Sequence, residues 1–164
     1  MGLDMWLTKK YYIWQIDRVN KIVPLSRVIG GNVKLDEMET DFDSSEIKID
    51  LSTLKELSFD CVYWRKSNHI HKWFVDNVQG GVDNCEEYYV DIDKLKELLH
   101  ICKEVKEDHS KANDLLPTQS GFFFGDTDYN KWYYEDIEYT IGMLEKIFND
   151  PNADEYEYFY RSSW

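Results

Sequence analysis

The chain has 164 residues, 16% of them aromatic, and carries a formal charge of -13 from 32 acidic and 19 basic side chains. A chain of this length is expected to form one domain without staples, because it buries roughly two-thirds of its unfolded surface. Its charge repels phosphate backbones, so direct nucleic-acid binding is not expected, and no run approaches the ~18 apolar residues of a membrane span.

Gly2 to Thr8 alternates in part between apolar and polar residues and predicts a strand. Tyr11 to Ile16 predicts a second strand. Gly30-Gly31-Asn32 predicts a turn, with Val33 to Leu35 as a short strand after it. Asp36 to Glu46 contains Asp36, Glu37, Glu39, Asp41, Asp43 and Glu46 and no basic residue, so it reads as a solvated acidic loop suited to a basic partner. Glu46 to Leu51 alternates cleanly and predicts another strand. Together the N-terminal pieces suggest an antiparallel meander.

Tyr63, Ser67, Ile70, Phe74 and Val78 recur at three- and four-residue steps, which predicts a helix over Val62 to Val78. Gln79-Gly80-Gly81 ends it with a left-handed glycine. Tyr88 to Val90 predicts a short strand. Asp91 is then the N-cap of a helix through about Val105, with Ile92, Leu95, Leu98, Leu99, Cys102 and Val105 on its buried side. Glu107 to Asp114 reads as a polar loop, and Phe122 to Phe124 as a short buried strand or extended connection. Asp128 is placed to cap a last helix ending near Phe148. Glu155 to Arg161 alternates acids with rings and predicts a closing strand. The expected class is α+β, with an antiparallel sheet formed by N- and C-terminal strands packed against about three helices.

Two islands hold the chemistry, Tyr63 to Phe74 and Leu115 to Gly125. In the first, Arg65, Lys66 and Lys72 form the one concentrated basic cluster of an acidic chain. With Asn68 and the neighbouring ring of Trp64 they form a socket for a small anion, or else a set of surface ion pairs. His71 is either a functional base or donor, or a core histidine held by hydrogen bonds. His69 lies two residues from it and points elsewhere on a helix, so the pair lacks the four-residue spacing of a helical zinc site. In the second island, Thr118, Gln119 and Ser120 lie between Pro117 and Gly121, where backbone amides can face a ligand and Gly121 and Gly125 permit close approach. The island has neither a Walker ending nor a nucleophile elbow.

Asp126-Thr127-Asp128-Tyr129-Asn130 opens like a calcium loop, but Lys131 and Ile137 occupy the positions that need glycine and glutamate. Glu135, Asp136 and Glu138 read as a solvated helix face rather than catalytic carboxylates. No metal and no cofactor is expected. The three cysteines, Cys61, Cys85 and Cys102, leave one unpaired under any disulfide scheme, which fits reduced thiols and a cytoplasmic location. Met1 to Lys10 lacks the features of a signal peptide.

The opening Met1 to Met5, Tyr63-Trp64-Arg65-Lys66 through Asn68, Ile70, His71, Trp73 and Phe74, Leu115 to Gly125, Trp132 to Asp136, and the closing Tyr160-Arg161-Ser162-Ser163-Trp164 resemble an uncharacterised family of tailed-bacteriophage and prophage proteins. The resemblance implies a small protein of the infected bacterium's cytoplasm, and places the site at Arg65, Asn68, His71, Thr118 and Gln119. Tyr11 to Ser58 departs from the family pattern.

The leading expectation is a non-catalytic phage accessory protein that binds a small anionic or nucleotide-like ligand as a counter-measure to host defence. Trp64, Arg65, Asn68, His71, Lys72, Thr118, Gln119 and Ser120 are its candidate ligand-binding residues. The alternative is an acidic inhibitor of a host protein that imitates nucleic-acid charge through Asp36 to Glu46. A third reading is a small hydrolase or transferase using His71 as base. A homo-oligomer is compatible with each.

Overall fold

Met5 and Leu7 are buried while Asp4, Trp6 and Thr8 are partly exposed, and Tyr158, Tyr160 and Ser162 are buried while Glu157, Arg161 and Ser163 face out. This period of two is the signature of strands with one covered face. In the computed structural model, which describes residues 2–12, 22–24, 48–50 and 55–164, both segments are strands of one sheet. The elements run β1 (Asp4–Tyr12), β2 (Ile22–Pro24), β3 (Lys48–Asp50), β4 (Glu56–Arg65), α1 (Asn68–Asn77), β5 (Tyr88–Val90), α2 (Ile92–Glu107), α3 (Ala112–Leu115), α4 (Lys131–Phe148) and β6 (Glu157–Ser163).

The main sheet has the order β4-β1-β6-β5. β6 lies antiparallel between β1 and β5, with Leu7 opposite Tyr160 and Tyr160 opposite Tyr88. The fold is therefore α+β, with a sheet built from both ends of the chain, three long helices and the one-turn α3. Close contacts group the chain into two units, Met1–Tyr11 with Ser58–Trp164, and Tyr12–Leu57. The second holds the antiparallel pair β2 and β3. No helix among the described residues is long and apolar enough to cross a membrane.

The core of the first unit lies on the buried face of the sheet. The ring of Phe74 from α1 stacks on Tyr160 at 3.9 Å between centroids and 8° between planes, and Trp64 tilts against Phe74 at 5.9 Å. Leu95, Leu98, Cys102 and Val105 give α2 its buried stripe, and Tyr133, Ile137, Ile141 and Leu144 do the same for α4. The expected cap at Asp91 is present, its side chain accepting the Asp93 amide. Gly80 and Gly81 have φ of 64° and 81°, the left-handed geometry that ends α1.

The structure corrects five expectations. Val62 to Arg65 is strand, not helix: Val62 and Trp64 are buried while Tyr63 and Arg65 face out, and Lys66, at φ 61°, breaks the chain before α1 starts. The helical spacing of Tyr63 with Ser67 and Ile70 spans two elements. The predicted polar loop after Glu107 contains a 3-10 turn at His109–Lys111 and α3, which bury Ala112. Phe122 to Phe124 is a turn, with only Phe124 buried, rather than a strand. Asn130, not Asp128, caps α4 by accepting the amides of Trp132 and Tyr133. The N-terminal strands are shared between two sheets and form no single meander. Of the predicted strand at 11–16, Tyr11 and Tyr12 end β1 and the rest lies outside the described residues. The predicted turn at 30–32, the strand at 33–35 and the acidic loop at 36–46 also lie outside them.

Candidate functional site

The junction between β4 and α1 is held at close range by three neighbours. The Lys66 amide donates to the Leu3 carbonyl at 2.7 Å, and the Asn68 amide to the Lys66 carbonyl at 2.8 Å. Gly125, at φ 92°, passes so close that a Cβ there would sit 3.4 Å from both Cβ and the carbonyl oxygen of Lys66. Ser67 does not cap the helix with its side chain; its hydroxyl donates to Asp136 Oδ2 at 2.6 Å. This ties the start of α1 to α4.

Asn68 is buried, and each of its amide groups is used. Nδ2 donates to the carbonyls of Phe124 and Asp126 at 3.2 and 2.8 Å, and Oδ1 accepts the Gln119 amide at 3.0 Å. The segment 117–126 is thereby clamped to α1. Thr118 closes its other side, its hydroxyl donating to the Thr127 carbonyl at 3.0 Å.

Between this clamp and the first two turns of α4 lies a cavity of about 540 Å³. Arg65 and Lys66 line it from the corner, Thr118 and Asp126 from the loop, and Trp132 and Asp136 from α4. Arg65 is well exposed and its nearest carboxylate, Asp4, stands 3.9 Å away. Lys66 makes no ion pair among the described residues. Asp136 is half-buried, and burial raises its carboxyl above the ordinary range, opposed by the Ser67 hydrogen bond. His69 lines the cavity too, its ring tilted against Tyr133 at 4.2 Å between centroids; burial lowers its pKa to about 3, so the ring is neutral and the cavity's positive charge comes from Arg65 and Lys66. Tyr133 is held by its hydroxyl, which donates to the Leu116 carbonyl at 2.8 Å.

Comparison with protein-family models, curated proteins and solved structures gives no match.

Of the residues singled out from sequence, Arg65, Asn68 and Thr118 line the cavity. Gln119 contributes its backbone to the Asn68 clamp, and Ser120 is exposed beside it. Trp64 lies in the core, its Nε1 donating to Thr140 Oγ1 at 2.9 Å. Lys72 pairs with Asp76 at 2.8 Å on the outer face of α1. His71 is completely buried, with Nδ1 at 2.7 Å from the Tyr160 hydroxyl and Nε2 at 3.1 Å from Asp83 Oδ1. Burial is the largest influence on it and lowers its pKa, against the opposing pull of Asp83. A ring so enclosed, with both nitrogens engaged, is poorly placed to take a proton from a substrate.

Sequence reasoning placed Lys66 in the basic cluster but did not select His69, Trp132 or Asp136 as ligand-binding residues. A signal existed for the last two: Trp132 and Asp136 are four residues apart in a helical segment and so share a face. No group of three or more histidine, cysteine or acidic side chains is placed to hold a metal among the described residues.

Proposed function

We propose that this is a binding protein without catalytic turnover, and that the cavity beside Asn68 takes a small anionic, nucleotide-like ligand. The observation that carries it is the placement of Arg65 and Lys66, loosely paired or unpaired, on the wall of a cavity that also presents the exposed indole of Trp132. Two adjacent cations in a chain of net charge -13 form a local electropositive spot for an anionic group. A volume near 540 Å³ falls in the range of about 300–1,000 Å³ typical of small-molecule sites. The resemblance to bacteriophage proteins supplies a setting, in which the protein sequesters such a ligand from a bacterial defence.

Isothermal titration with nucleotides and inorganic phosphate tests the reading. Arg65→Ala and Lys66→Gln should each weaken binding by roughly tenfold or more, the value of a charge-assisted hydrogen bond. Binding that is undetectable for every anion, or indifferent to both substitutions, rejects it.

A further inference from the structure

The cavity does not suit a bare anion. Asp126, Asp128 and Asp136 line it together with Arg65 and Lys66, so the lining carries more acid than base. Asp126 is spent on its own loop, accepting from the Asp128 amide at 3.1 Å and from Asn130 Nδ2 at 3.2 Å. Asp128 is exposed. Asp136 differs from both: it is half-buried, and among the described residues only Ser67 donates to its carboxylate. A half-buried carboxylate with one donor has spare acceptor capacity and no cation beside it. A ligand that brought N–H donors would offset that cost.

One turn before Asp136 stands Trp132, 68% exposed despite its size. Four residues of helix separate the two by about 6 Å along the axis, on one face. An exposed ring at the wall of a polar cavity is a stacking platform for a planar group, and a carboxylate one turn away meets the edge of whatever stacks there.

We infer that the ligand is a guanine nucleotide, its base stacked on Trp132 with adjacent N–H groups donating to Asp136, and its phosphate held by Arg65 and Lys66. The inference rests on the proposed ligand site and narrows it. Guanine presents a ring N–H and an exocyclic amine side by side, a fork that a carboxylate accepts with both oxygens or twice with one. Adenine presents a single amine flanked by acceptor nitrogens, which a carboxylate repels. The same logic ranks hypoxanthine between them, since it keeps the ring N–H and lacks the amine.

Titration calorimetry of the full chain with GMP, IMP, AMP and inorganic phosphate, at one ionic strength, decides it. GMP should bind at least roughly tenfold tighter than AMP, with IMP between. Asp136→Asn should erase the GMP preference, weakening GMP and leaving AMP no weaker because the amide can donate to an adenine ring nitrogen, and Trp132→Ala should weaken GMP and AMP alike. Equal binding of GMP and AMP, or a GMP preference that survives Asp136→Asn, overturns the guanine assignment while leaving the ligand site in place. Silence from all four probes overturns the ligand site and the assignment with it. Where Asp136→Asn fails to fold, the ranking of GMP, IMP and AMP on the unaltered protein still decides the assignment.

Discussion

Asn68 on α1 and Gln119 in the loop between α3 and α4 are 51 residues apart, and the Asn68 side-chain oxygen accepts the Gln119 backbone amide at 3.0 Å. With the two bonds from Nδ2, this one amide side chain fixes the wall of the candidate site from three directions. Asn68→Ala would leave three backbone groups without this partner, the Phe124 carbonyl in a buried setting and the Asp126 carbonyl and Gln119 amide in part-buried ones. The expected loss is about 2–4 kcal/mol, from roughly 1 kcal/mol or more for each unsatisfied group. Denaturant unfolding should show it, and hydrogen exchange should show the Gln119 amide losing protection more than the amides of α2. A loss spread evenly over all elements would mean that Asn68 supports the core and not the loop.

Gly121 gives a sharper local test. A Cβ at this position would lie 2.4 Å from Cδ2 of Phe124, well inside the van der Waals contact distance to a buried ring. Gly121→Ala must therefore shift Phe124, which packs edge-on against His71 at 5.3 Å. Overpacking of this kind costs about 1–3 kcal/mol. It should also weaken any ligand of the cavity, because the loop beyond Phe124 carries Gly125 and Asp126. A stable variant with unchanged ligand affinity would show that Phe124 relaxes without moving the loop.

The two strands from the ends of the chain were legible because their side chains alternate with one covered face, as Met5 and Leu7 do in β1 and Tyr158 and Tyr160 in β6. The corner at Lys66 was not. Tyr63, Ser67 and Ile70 stand at four- and three-residue steps, which a helix also produces, and only the left-handed φ of Lys66 divides strand from helix. No local pattern announces that conformation at a lysine. The functional side of the first island was half legible for the same reason. Arg65 and Asn68 reach the cavity, whereas Trp64 faces the core by the alternation of β4 and His71 by its position on α1. Asp136 was taken for a solvated face, since nothing near it in sequence reveals the approach of Ser67 from α1.

Acid should destabilise the protein through its buried histidines. An unfolded histidine titrates near pH 6.5, while burial holds His69 at about 3. Between those values the unfolded chain binds the extra proton, so stability falls as pH falls, by up to about 1.4 kcal/mol per pH unit. His71 is lowered too and acts in the same direction, whereas Asp136, raised by burial, acts in the opposite one. His69→Phe isolates one share. Its Nε2 has no hydrogen-bond partner, so the substitution removes no bond there and keeps the ring against Tyr133. The variant should match the parent within about 1 kcal/mol above pH 7 and exceed it by about 2 kcal/mol near pH 5. Parallel stability curves down to that pH would show that the ring is not held neutral.

The row Tyr160, His71, Asp83, which runs from the core to the surface, carries a definite proton order. A carboxylate only accepts, so the proton of the neutral ring belongs on Nε2, pointing at Asp83. Nδ1 is then bare and accepts from the Tyr160 hydroxyl at 2.7 Å. Tyr160→Phe removes that donor and leaves a nitrogen unpaired where water does not reach, at a cost of about 1–3 kcal/mol. Asp83→Asn should cost less, because its amide oxygen still accepts and the side chain is 26% exposed. Unfolding free energies of the two variants near pH 7.5 rank them. Asp83→Asn as the more damaging of the two would mean a charged imidazolium that the carboxylate supports. An Asp83→Asn variant more stable than the parent would put the proton on Nδ1, with Tyr160 accepting it.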